Sequence, residues 1–438
     1  MEILSTFLIK IVFIFEYLIH GLLMPFVFLL LPFIKKLRVR YSLEMKFNSK
    51  NITLHPEFCF EVSSEGEFEQ IAPIMMSLLK NNKAVQLIIG SKSLVTKALE
   101  LEGHYKSLDV RMVPLVSFFW IKTPFTSNLF SLISTGTLVL CRYDFFPELM
   151  IIGWRKSKKF ILVSASLKNK SVSGLSGFYW KGVYSLFSQI IAASSFEKRQ
   201  IQTLLPNYTG PSFDFRQLQI LDRIETSSDK LNSWNNNQQF LDIINIFSKM
   251  ERIIIGSCWE PECDIFLNKE LVKDIIEKKV IVVIAPHILS DFFIQNLSDR
   301  ILNYSKDLNV QVISDLEFQT NTNAGFVYIL QKAGILVEIY QLFGHAFVGG
   351  GYGRSIHSVL EPYISGCQVY CGPKTHRSTE FDLIISKNKE QAIIIENQVD
   401  FYQKVKEKNN AKISMAIIER TELTHSFEKY LDFLLEGS

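Results

Sequence analysis

Short apolar runs alternate with longer amphipathic stretches from about residue 50 to the end of this chain. In the first half, runs rich in Val, Ile, Leu and Phe predict strands at residues 58–62, 85–89, 137–141, 160–163 and 190–193. Helical periodicity between these runs predicts helices at residues 67–80 and 92–101. This alternation is typical of βαβ units, which build parallel sheets.

The second half of the chain repeats the alternation. Its predicted strands lie at residues 252–255, 280–285, 310–313, 326–330, 346–349, 368–371 and 392–395. A polar segment at residues 225–239 separates the halves and is typical of a linker. The sequence therefore predicts an α/β protein with two Rossmann-like domains facing a cleft, at residues 50–224 and 240–418, and a closing helix at 419–438. In such sheets, ligands bind beyond the carboxyl ends of the strands.

The N-terminal segment, residues 1–40, has a different pattern. Residues 3–34 are mostly apolar, and a basic run follows at residues 35–40. A signal peptide would carry its positive charge before the apolar run, so the order here favours a membrane anchor whose following domain is cytoplasmic. About 20 apolar residues span a bilayer. Glu16 and His20 inside the run keep open a second arrangement, a helix lying in the membrane interface.

Composition narrows the function classes. A net charge of +3 gives no support for nucleic-acid binding. The 6 cysteines form no Cys-x-x-Cys pair, so neither a zinc site nor a disulfide framework is indicated. Walker A and Gly-x-Ser-x-Gly motifs are absent from the sequence, and no spacing of His or Asp residues indicates a metal site.

A glycine-rich run at residues 347–362 is the most informative motif. An apolar strand leads into a turn that contains Gly350, Gly351 and Gly353. A helix is predicted from about Ser355, where free N–H groups would suit a phosphate. His357 and Glu361, four residues apart, would then share one face of that helix. The pattern favours a nucleotide site, and a glycine-rich turn without a ligand is the alternative.

Two acidic residues follow predicted strands of the first domain. Glu67 comes after Ser64 at the start of a predicted helix, where a carboxylate can act as a general base. The same spacing is that of a capping box, and spacing alone favours the cap. Asp144 follows the strand at 137–141 and is an equally good candidate for a second catalytic carboxylate or for a turn residue.

Two further candidates follow strands of the second domain. Ser257 lies in a strand-to-turn segment, where its hydroxyl and the backbone N–H groups can hold a phosphate. His287 follows the strand at 280–285 and can donate a hydrogen bond to a phosphate or a base. A lone His after a strand is more often structural, but the strand end is where ligands bind.

Together these segments resemble the Kdo (3-deoxy-D-manno-octulosonic acid) transferases of lipopolysaccharide synthesis, which are membrane-associated glycosyltransferases of the GT-B fold. Residues 64–67 resemble the family's Ser-x-Gly-Glu motif, and residues 256–260 resemble its Gly-Ser-Thr-Trp motif. Ala-Pro-His at 285–287, the glycine loop at 349–353 and Leu-Glu-Pro at 360–362 match further motifs in the same order. Several ordered motifs are more specific than any one of them.

The resemblance implies a CMP-Kdo donor and a lipid A precursor, lipid IVA, as acceptor at the cytoplasmic face of the inner membrane, among membrane lipids. It implies inverting transfer that needs no metal or other cofactor. Glu67 matches the family's general base, which reverses the preference for a purely capping role, and Ser64 and Gly66 are then expected beside the acceptor. The second domain is expected to hold the nucleotide sugar through Ser257, His287, Gly350, Gly351, Gly353, Ser355, His357 and Glu361.

The chain departs from the family pattern at three places. The segment 209–215 lacks the family's basic residue, Gln331 replaces an Asp, and Ser358 replaces an Asn. These differences keep two alternatives open: a GT-B transferase with another activated sugar or acceptor, and a membrane-bound homologue that has lost catalysis.

Overall fold

The computed structural model describes residues 2–50, 54–115, 128–133, 136–142, 145–167, 170–314, 325–376, 378–410 and 420–435. The chain divides into two compact units. Unit 1 comprises Met1–Arg216 and Thr424–Ser438, and unit 2 comprises Gln217–Leu423. The chain therefore passes from one unit to the other twice, and its last residues belong to the first unit.

Unit 1 contains a sheet of parallel strands in the order β3-β2-β1-β4-β5-β6. The strands are β1 Phe58–Val62, β2 Val85–Ile89, β3 Leu108–Met112, β4 Thr137–Cys141, β5 Lys159–Ala165 and β6 Gln189–Ala192. The helices before and between them are α1 Glu2–Leu30, α2 Lys35–Asn48, α3 Glu65–Lys80, α4 Val95–His104, α5 Leu129–Leu132, α6 Pro147–Arg155, α7 Gly174–Tyr184 and α8 Ser195–Leu204. The strand order reverses between β1 and β4, so their carboxyl ends border the crevice where such sheets bind ligands.

Unit 2 contains a second parallel sheet in the order β13-β12-β11-β7-β8-β10-β9. The strands are β7 Arg252–Cys258, β8 Ile281–Pro286, β9 Asn309–Ile313, β10 Phe326–Leu330, β11 His345–Val348, β12 Gln368–Cys371 and β13 Ala392–Ile394. The helices are α9 Arg216–Glu225, α10 Ser227–Asn232, α11 Asn237–Ile244, α12 Lys269–Ile276, α13 Asp291–Tyr304, α14 Leu336–Tyr340, α15 Leu360–Ile364, α16 Thr379–Lys387 and α17 Phe401–Asn410. Here the order reverses between β7 and β11. The last described helix, α18 Arg420–Leu435, lies mostly in unit 1.

The two parallel sheets confirm the predicted α/β fold of Rossmann-like domains. Five predicted strands have the bounds of β1, β2, β4, β10 and β12, and the others differ only at their ends. The apolar runs predicted these strands well because central parallel strands are covered by helices on both faces. In β1, β2 and β4, for example, every residue is buried.

Strand β3 was not predicted, because polar residues interrupt its apolar pattern. Arg111 is fully buried, and its guanidinium donates to Asp109 at 2.9 Å and to the carbonyl oxygen of Lys50 at 2.7 Å. Pairing of this kind is what makes a buried charge tolerable. The carbonyl group belongs to the segment after α2, and nothing in the local sequence of β3 predicts this contact.

The segment predicted as a linker, residues 225–239, is largely helical. It contains the end of α9, all of α10 and the start of α11. Leu231 and Trp234, three residues apart, are buried and join the hydrophobic core of unit 2 with Phe240. A few well-spaced apolar residues therefore anchor a stretch whose overall composition is polar.

Helix α1 packs along unit 1 by one stripe of its surface. Ile9, Phe13 and Tyr17, at four-residue spacing, are buried in the unit 1 core. Helix α7 comes so close that a Cβ on Gly182 would lie 2.7 Å from the carbonyl oxygen of Ser5. The other faces of α1 expose apolar side chains, among them Ile3, Phe7, Phe15, Leu22, Phe26 and Leu29. Residues Ile3–Leu30 are also long and apolar enough to cross a membrane by length and composition.

The C-terminal helix α18 packs onto unit 1. Phe427 and Tyr430 contact the rings of Phe215 and Phe213, respectively. Near its end, the carbonyl oxygen of Leu434 accepts a hydrogen bond from Lys159 at 3.2 Å. The helix predicted to close the chain thus contributes to the core of unit 1.

A buried histidine makes the stability of unit 2 depend on pH. His345 in β11 is fully buried, and its ring nitrogens contact Tyr370 and Asn409 at 3.1 and 2.8 Å. Burial lowers the pKa of His345 to about 4. The unfolded chain then binds more protons than the folded chain below the ordinary pKa of histidine, so stability falls as pH decreases from about 6.5 to about 4.

We expect this histidine to cost on the order of 2 kcal/mol of unfolding free energy between pH 7 and pH 5. Urea unfolding at several pH values, followed by circular dichroism, measures the slope. His345→Gln removes the titrating group and should flatten the slope, even though it lowers stability at pH 7. Equal slopes in the two proteins would contradict this assignment.

Candidate functional site

The glycine loop after β11 packs backbone to backbone against two neighbouring loops. A Cβ on Gly349 would lie 2.2 Å from the carbonyl oxygen of Ser257, and one on Gly351 would lie 2.6 Å from the backbone of Gly372. Such distances exclude any side chain. These two glycines therefore serve close packing among the loops after β7, β11 and β12.

Gly350 and Gly353 have different reasons to be glycine. Gly350 has φ of +101°, the region that favours glycine, and its Cβ would lie 2.6 Å from the carbonyl oxygen of Ser355. At Gly353, no atom lies within 4 Å of an added Cβ. Packing explains Gly350, whereas Gly353 faces open space that a ligand can enter.

A buried carboxylate fixes the loops after β7 and β11 relative to each other. Glu262 is fully buried, and it accepts hydrogen bonds from the N–H of Trp259 at 2.8 Å and of Gly350 at 3.1 Å. Burial raises the pKa of Glu262, against the opposing effect of these hydrogen bonds. The Gly350 N–H is thus already engaged within the protein.

The helix predicted from Ser355 begins later. Helix α15 starts at Leu360, and the preceding residues form a looped segment. The segment turns back on itself because the N–H of His357 donates to Gly349 and that of Arg354 donates to Gly350, at 3.1 and 2.9 Å. His357 and Glu361 therefore do not share a helix face: His357 lies in the loop, and Glu361 lies in the first turn of α15.

Three rings stack beside the glycine loop. The ring centroid of His287 lies 4.5 Å from that of Trp259 and 4.3 Å from that of His357. The indole Nε1 of Trp259 donates to Nε2 of His357 at 2.9 Å. The structure thus brings together His287 and His357, which were predicted from separate motifs, and it stacks Trp259 against them.

One exposed cation, Arg354, covers this stack. Its guanidinium carbon lies 4.5 Å from the ring centroid of Trp259, within cation–π range. Burial lowers the pKa of His357 to about 4, with smaller contributions from His287 and Arg354. Burial and then Arg354 also lower the pKa of His287. Both imidazoles are therefore neutral at pH 7 and can donate or accept hydrogen bonds beside a fixed positive charge.

Ser257 and Glu361 belong to the same end of the sheet. Ser257 has φ of +51°, a left-handed conformation that costs a non-glycine residue about 1–3 kcal/mol. It lies where the pairing of β7 with β8 shifts register. Glu361 lies near Tyr340, whose pKa is raised by burial and further by this carboxylate. A Cβ on Gly256 would overlap the hydroxyl of Tyr340, so the Tyr340 side chain packs directly against β7.

In unit 1, Ser64 and Glu67 form the predicted cap of α3. The N–H of Glu67 donates to the Ser64 hydroxyl at 3.3 Å, and the carboxylate accepts from the N–H of Ser63 at 2.8 Å. Glu67 is only 4% exposed. Gly66 between them has no atom within 4 Å of an added Cβ. The cap by Ser64 is confirmed, whereas the Glu67 carboxylate bonds the N–H of Ser63 and not that of Ser64, as a capping box would require. Asp144 lies outside the described residues.

A second cap in unit 1 gives a structural comparison. Ser194 caps α8 by accepting from the N–H of Glu197 at 3.2 Å. The buried Glu197 carboxylate accepts from the N–H of Leu167 at 2.6 Å and from the hydroxyl of Ser166 at 3.0 Å. Phe196 occupies the position that corresponds to Gly66. The two carboxylates have similar caps, but only at α3 is the bulky side chain absent.

Sequence reasoning missed two residues of this site. Glu262 could have been found from its spacing, three residues after Trp259 at the start of a 3₁₀ helix, Glu260–Leu267. Arg354 carried no such signal, because its position over the tryptophan depends on contacts between distant segments. No group of three or more His, Cys, Asp or Glu residues that could hold a metal ion occurs in the part of the chain that the structure describes.

Solved structures with the same fold define the class. The chain is similar to UDP-GlcNAc 2-epimerase from Neisseria meningitidis, with 11% identity over 86% of this chain and 99% of that chain, at a TM-score of 0.55. It is also similar to a glycosyltransferase from Rickettsia africae ESF-5, with 12% identity over 88% and 100% of the two chains, at a TM-score of 0.52. Two Rossmann-like domains of this kind define the GT-B fold.

Sequence comparison adds a family match in the first half of the chain. Residues 35–209 match the family described as 3-deoxy-D-manno-octulosonic-acid transferase (kdotransferase). The match covers less than half of the chain and lies within unit 1. It is also similar to the C-terminal CMP-Kdo binding domain of WaaA from Acinetobacter baumannii, with 16% identity over 49% of this chain and 99% of that chain, at a TM-score of 0.34. None of the curated proteins matches the chain.

Arg354 should hold down the pKa values of the two stacked histidines. Removing a positive charge stabilises the protonated imidazole, so Arg354→Ala should raise the pKa of both His287 and His357. The shifts are measured by NMR titration of the imidazole protons. Lys374→Ala is the matched control, since Lys374 contacts the carbonyl oxygen of Gly353 at 3.2 Å on the same loop. Unchanged titration in Arg354→Ala would refute the charge coupling.

Proposed function

We propose that this chain transfers Kdo from CMP-Kdo to a lipid A precursor, lipid IVA, with inversion at the anomeric carbon and without a metal. The observation that carries the proposal is the position of Glu67. It lies inside the segment that matches the Kdo transferase family, just after the carboxyl end of β1, and the adjacent residue Gly66 has no side chain and no atom within 4 Å of an added Cβ. The sheet order reverses next to β1, which is where α/β sheets bind their ligands.

Glu67 is the proposed general base. Its carboxylate takes the proton of the acceptor hydroxyl as that oxygen attacks the anomeric carbon of Kdo. The new C–O bond forms while the bond from the anomeric carbon to the phosphate oxygen breaks, and CMP leaves with the bonding electrons. The hydrogen bond from the N–H of Ser63 orients the carboxylate, and the N-terminus of α3 favours its ionised form. Ser64 and Gly66 are proposed to lie beside the acceptor, and Asp144 stays a predicted second carboxylate.

Unit 2 is the proposed donor site. Because Glu262 holds the N–H of Gly350, phosphate contacts are assigned to the segment from Gly351 to Ser355 and to the Arg354 guanidinium. Ser257, His287 and His357 are proposed to surround the nucleotide. Neutral imidazoles suit this task, since they can hydrogen-bond to phosphate or base without adding charge.

Glu361 is proposed to bind the ribose hydroxyls. It stands in the first turn of α15, half-buried beside Tyr340. A carboxylate accepts hydrogen bonds from two neighbouring hydroxyls, which is the arrangement that a ribose presents.

Two of the three departures from the family pattern, Gln331 and Ser358, are compatible with an intact donor domain. The side-chain amide of Gln331 donates to Asp291 at 2.8 Å and to the carbonyl oxygen of Leu289 at 3.1 Å. The hydroxyl of Ser358 donates to Glu380 at 2.9 Å. Each replacement thus has its own partner within unit 2. This favours an active transferase over a homologue that has lost catalysis.

Helix α1 is proposed to lie in the interface of the inner membrane, on its cytoplasmic face. A helix whose residues Ile9, Phe13 and Tyr17 are buried in a water-soluble core cannot also be surrounded by lipid along that stretch. Its remaining faces are apolar and exposed, and the basic residues Lys35 and Lys36 follow directly. Interfacial helices combine these features.

The reaction and the base are tested together. Full-length protein in detergent is incubated with CMP-Kdo, generated in situ, and lipid IVA, and products are read by mass spectrometry. We expect a mass increase of one or more Kdo units. Glu67→Gln should reduce the rate roughly 100-fold or more, the usual contribution of a general base, while CMP binding is retained.

Glu197→Gln is the matched control, because it changes the equivalent carboxylate of the second cap. It should affect thermal stability but not the transfer rate. Activity of Glu67→Gln within about tenfold of the unmodified protein, a barrier change of only ~1.4 kcal/mol, would remove Glu67 as the base. Absence of any Kdo product with the unmodified chain would refute the proposed reaction.

The membrane proposal is tested by sedimentation with anionic vesicles. Leu22 and Phe26 are 72% and 62% exposed on α1, and Leu22→Glu combined with Phe26→Glu should abolish vesicle binding without unfolding unit 1. Phe13→Ala is the contrasting variant: it should cost about 3–5 kcal/mol of stability, as expected for a core phenylalanine, and leave binding of the folded fraction intact. Undiminished binding of the double variant would argue against an interfacial α1.

A further inference from the structure

Unit 1 contains a mostly apolar cavity of about 320 Å³ between α1, the start of α6 and the loop after β3. Its apolar walls include Leu23 and Val27 of α1, Phe146 before α6, and residues 113–115, and its polar lining residues are His20 and Glu148. The volume is at the lower end of the range of about 300–1,000 Å³ that is typical of small-molecule sites. None of the residues proposed above for catalysis or donor binding lines it.

The wall formed by residues 113–115 is held in place by α2. The Arg40 guanidinium donates to the carbonyl oxygen of Val113, and the N–H of Leu115 donates to the Glu44 carboxylate at 2.7 Å. Asn48 makes a reciprocal pair with the backbone of Met112, at 2.9 Å in both directions. Burial lowers the pKa of Arg40. These hydrogen bonds therefore fix residues 113–115, which form one wall of the cavity.

The cavity opens onto the surface proposed to meet the membrane. Leu23, in its wall, is 51% exposed and continues the apolar face of α1. The T-shaped contact between Phe28 and Tyr41, at 5.9 Å, joins the end of α1 to α2. The exposed cations Lys35 and Lys36 lie at the start of α2. An apolar chain with an anionic head fits an apolar cavity next to a cationic turn.

The cavity also lies on the same edge of the sheet as Glu67. Its walls follow β3 and β4, and Glu67 follows β1, which stands between them in the order β3-β2-β1-β4. Neighbouring strands are ~4.8 Å apart, so β3 lies ~10 Å from β1. A lipid whose sugar hydroxyl reaches Glu67 can therefore place a hydrocarbon chain in the cavity.

We propose that this cavity holds an acyl chain of the acceptor lipid and so positions its sugar hydroxyl at Glu67. The inference rests on the proposed transfer reaction for the identity of the acceptor. Its occupant is the acceptor's own chain, because the cavity combines the membrane-facing surface of α1 with the edge of the sheet that carries the base. A chain from a bystander phospholipid is the competing occupant that the experiment must reject.

Binding is tested first, without transfer. An acceptor with a diazirine in an acyl chain is photolysed with the full-length protein in detergent, and labelled peptides are mapped by mass spectrometry. We expect labels on the α1 peptide around Leu23 and Val27 and on the peptide with residues 113–115. Unlabelled acceptor should compete for labelling, and phosphatidylethanolamine should not. Equal competition by the phospholipid, or labels confined to α1 residues outside the cavity, would overturn the proposal.

Kinetics with filled-cavity variants give the second measurement. Val27→Trp should raise KM for the four-chain acceptor about tenfold and leave KM for the water-soluble, deacylated acceptor unchanged. Leu23→Trp is the second filling variant, in case the first fails to fold. Leu175→Trp is the control, since Leu175 is 90% exposed on α7 and does not line the cavity. Equal effects on both acceptors would overturn the proposal.

The two measurements separate this inference from the proposed reaction. Cavity labelling without any Kdo transfer would refute the reaction and leave the chain-binding site standing. Kdo transfer without cavity labelling would refute the site and leave the reaction standing.

Discussion

The candidate donor site depends on one buried carboxylate, Glu262, which joins two loops from neighbouring strands. By accepting the N–H groups of both Trp259 and Gly350, it fixes the tryptophan and the glycine loop in one geometry. The stacked histidines follow from this, since His287 and His357 find their places against that tryptophan. Glu262 is not itself proposed to bind a ligand, but it positions the residues that are. The strained Ser257 lies at the end of β7, the strand that precedes Trp259.

Local patterns sufficed to predict most strands and the cap at Ser64, because these depend on residues near one another in sequence. They failed where distant segments decide the outcome. Strand β3 contains the buried Arg111, whose guanidinium donates a hydrogen bond to a backbone carbonyl oxygen in the segment after α2. Helix α15 starts late because the preceding loop hydrogen-bonds back to Gly349 and Gly350.

The candidate site shows the same division. Motif order found Glu67, His287 and the glycine loop, each beside a strand end, and the resemblance supplied their expected roles. Motif order could not predict the position of Arg354 over Trp259, because packing sets the direction of a side chain in an irregular loop. The fold explains why the motifs are far apart in sequence: every turn that follows a parallel strand's carboxyl end reaches the same edge of its sheet.

The return of the C-terminal helix to unit 1 affects how the protein can be made and divided. Phe427 and Tyr430 pack on Phe215 and Phe213, so the first unit's core includes residues translated more than two hundred positions later. During synthesis that unit stays unfinished until residues 424–438 have been translated, unlike an ordinary N-terminal domain that folds first. Cutting the chain after Arg216 would leave the first fragment without α18, and the second fragment would carry a helix that packs on unit 1.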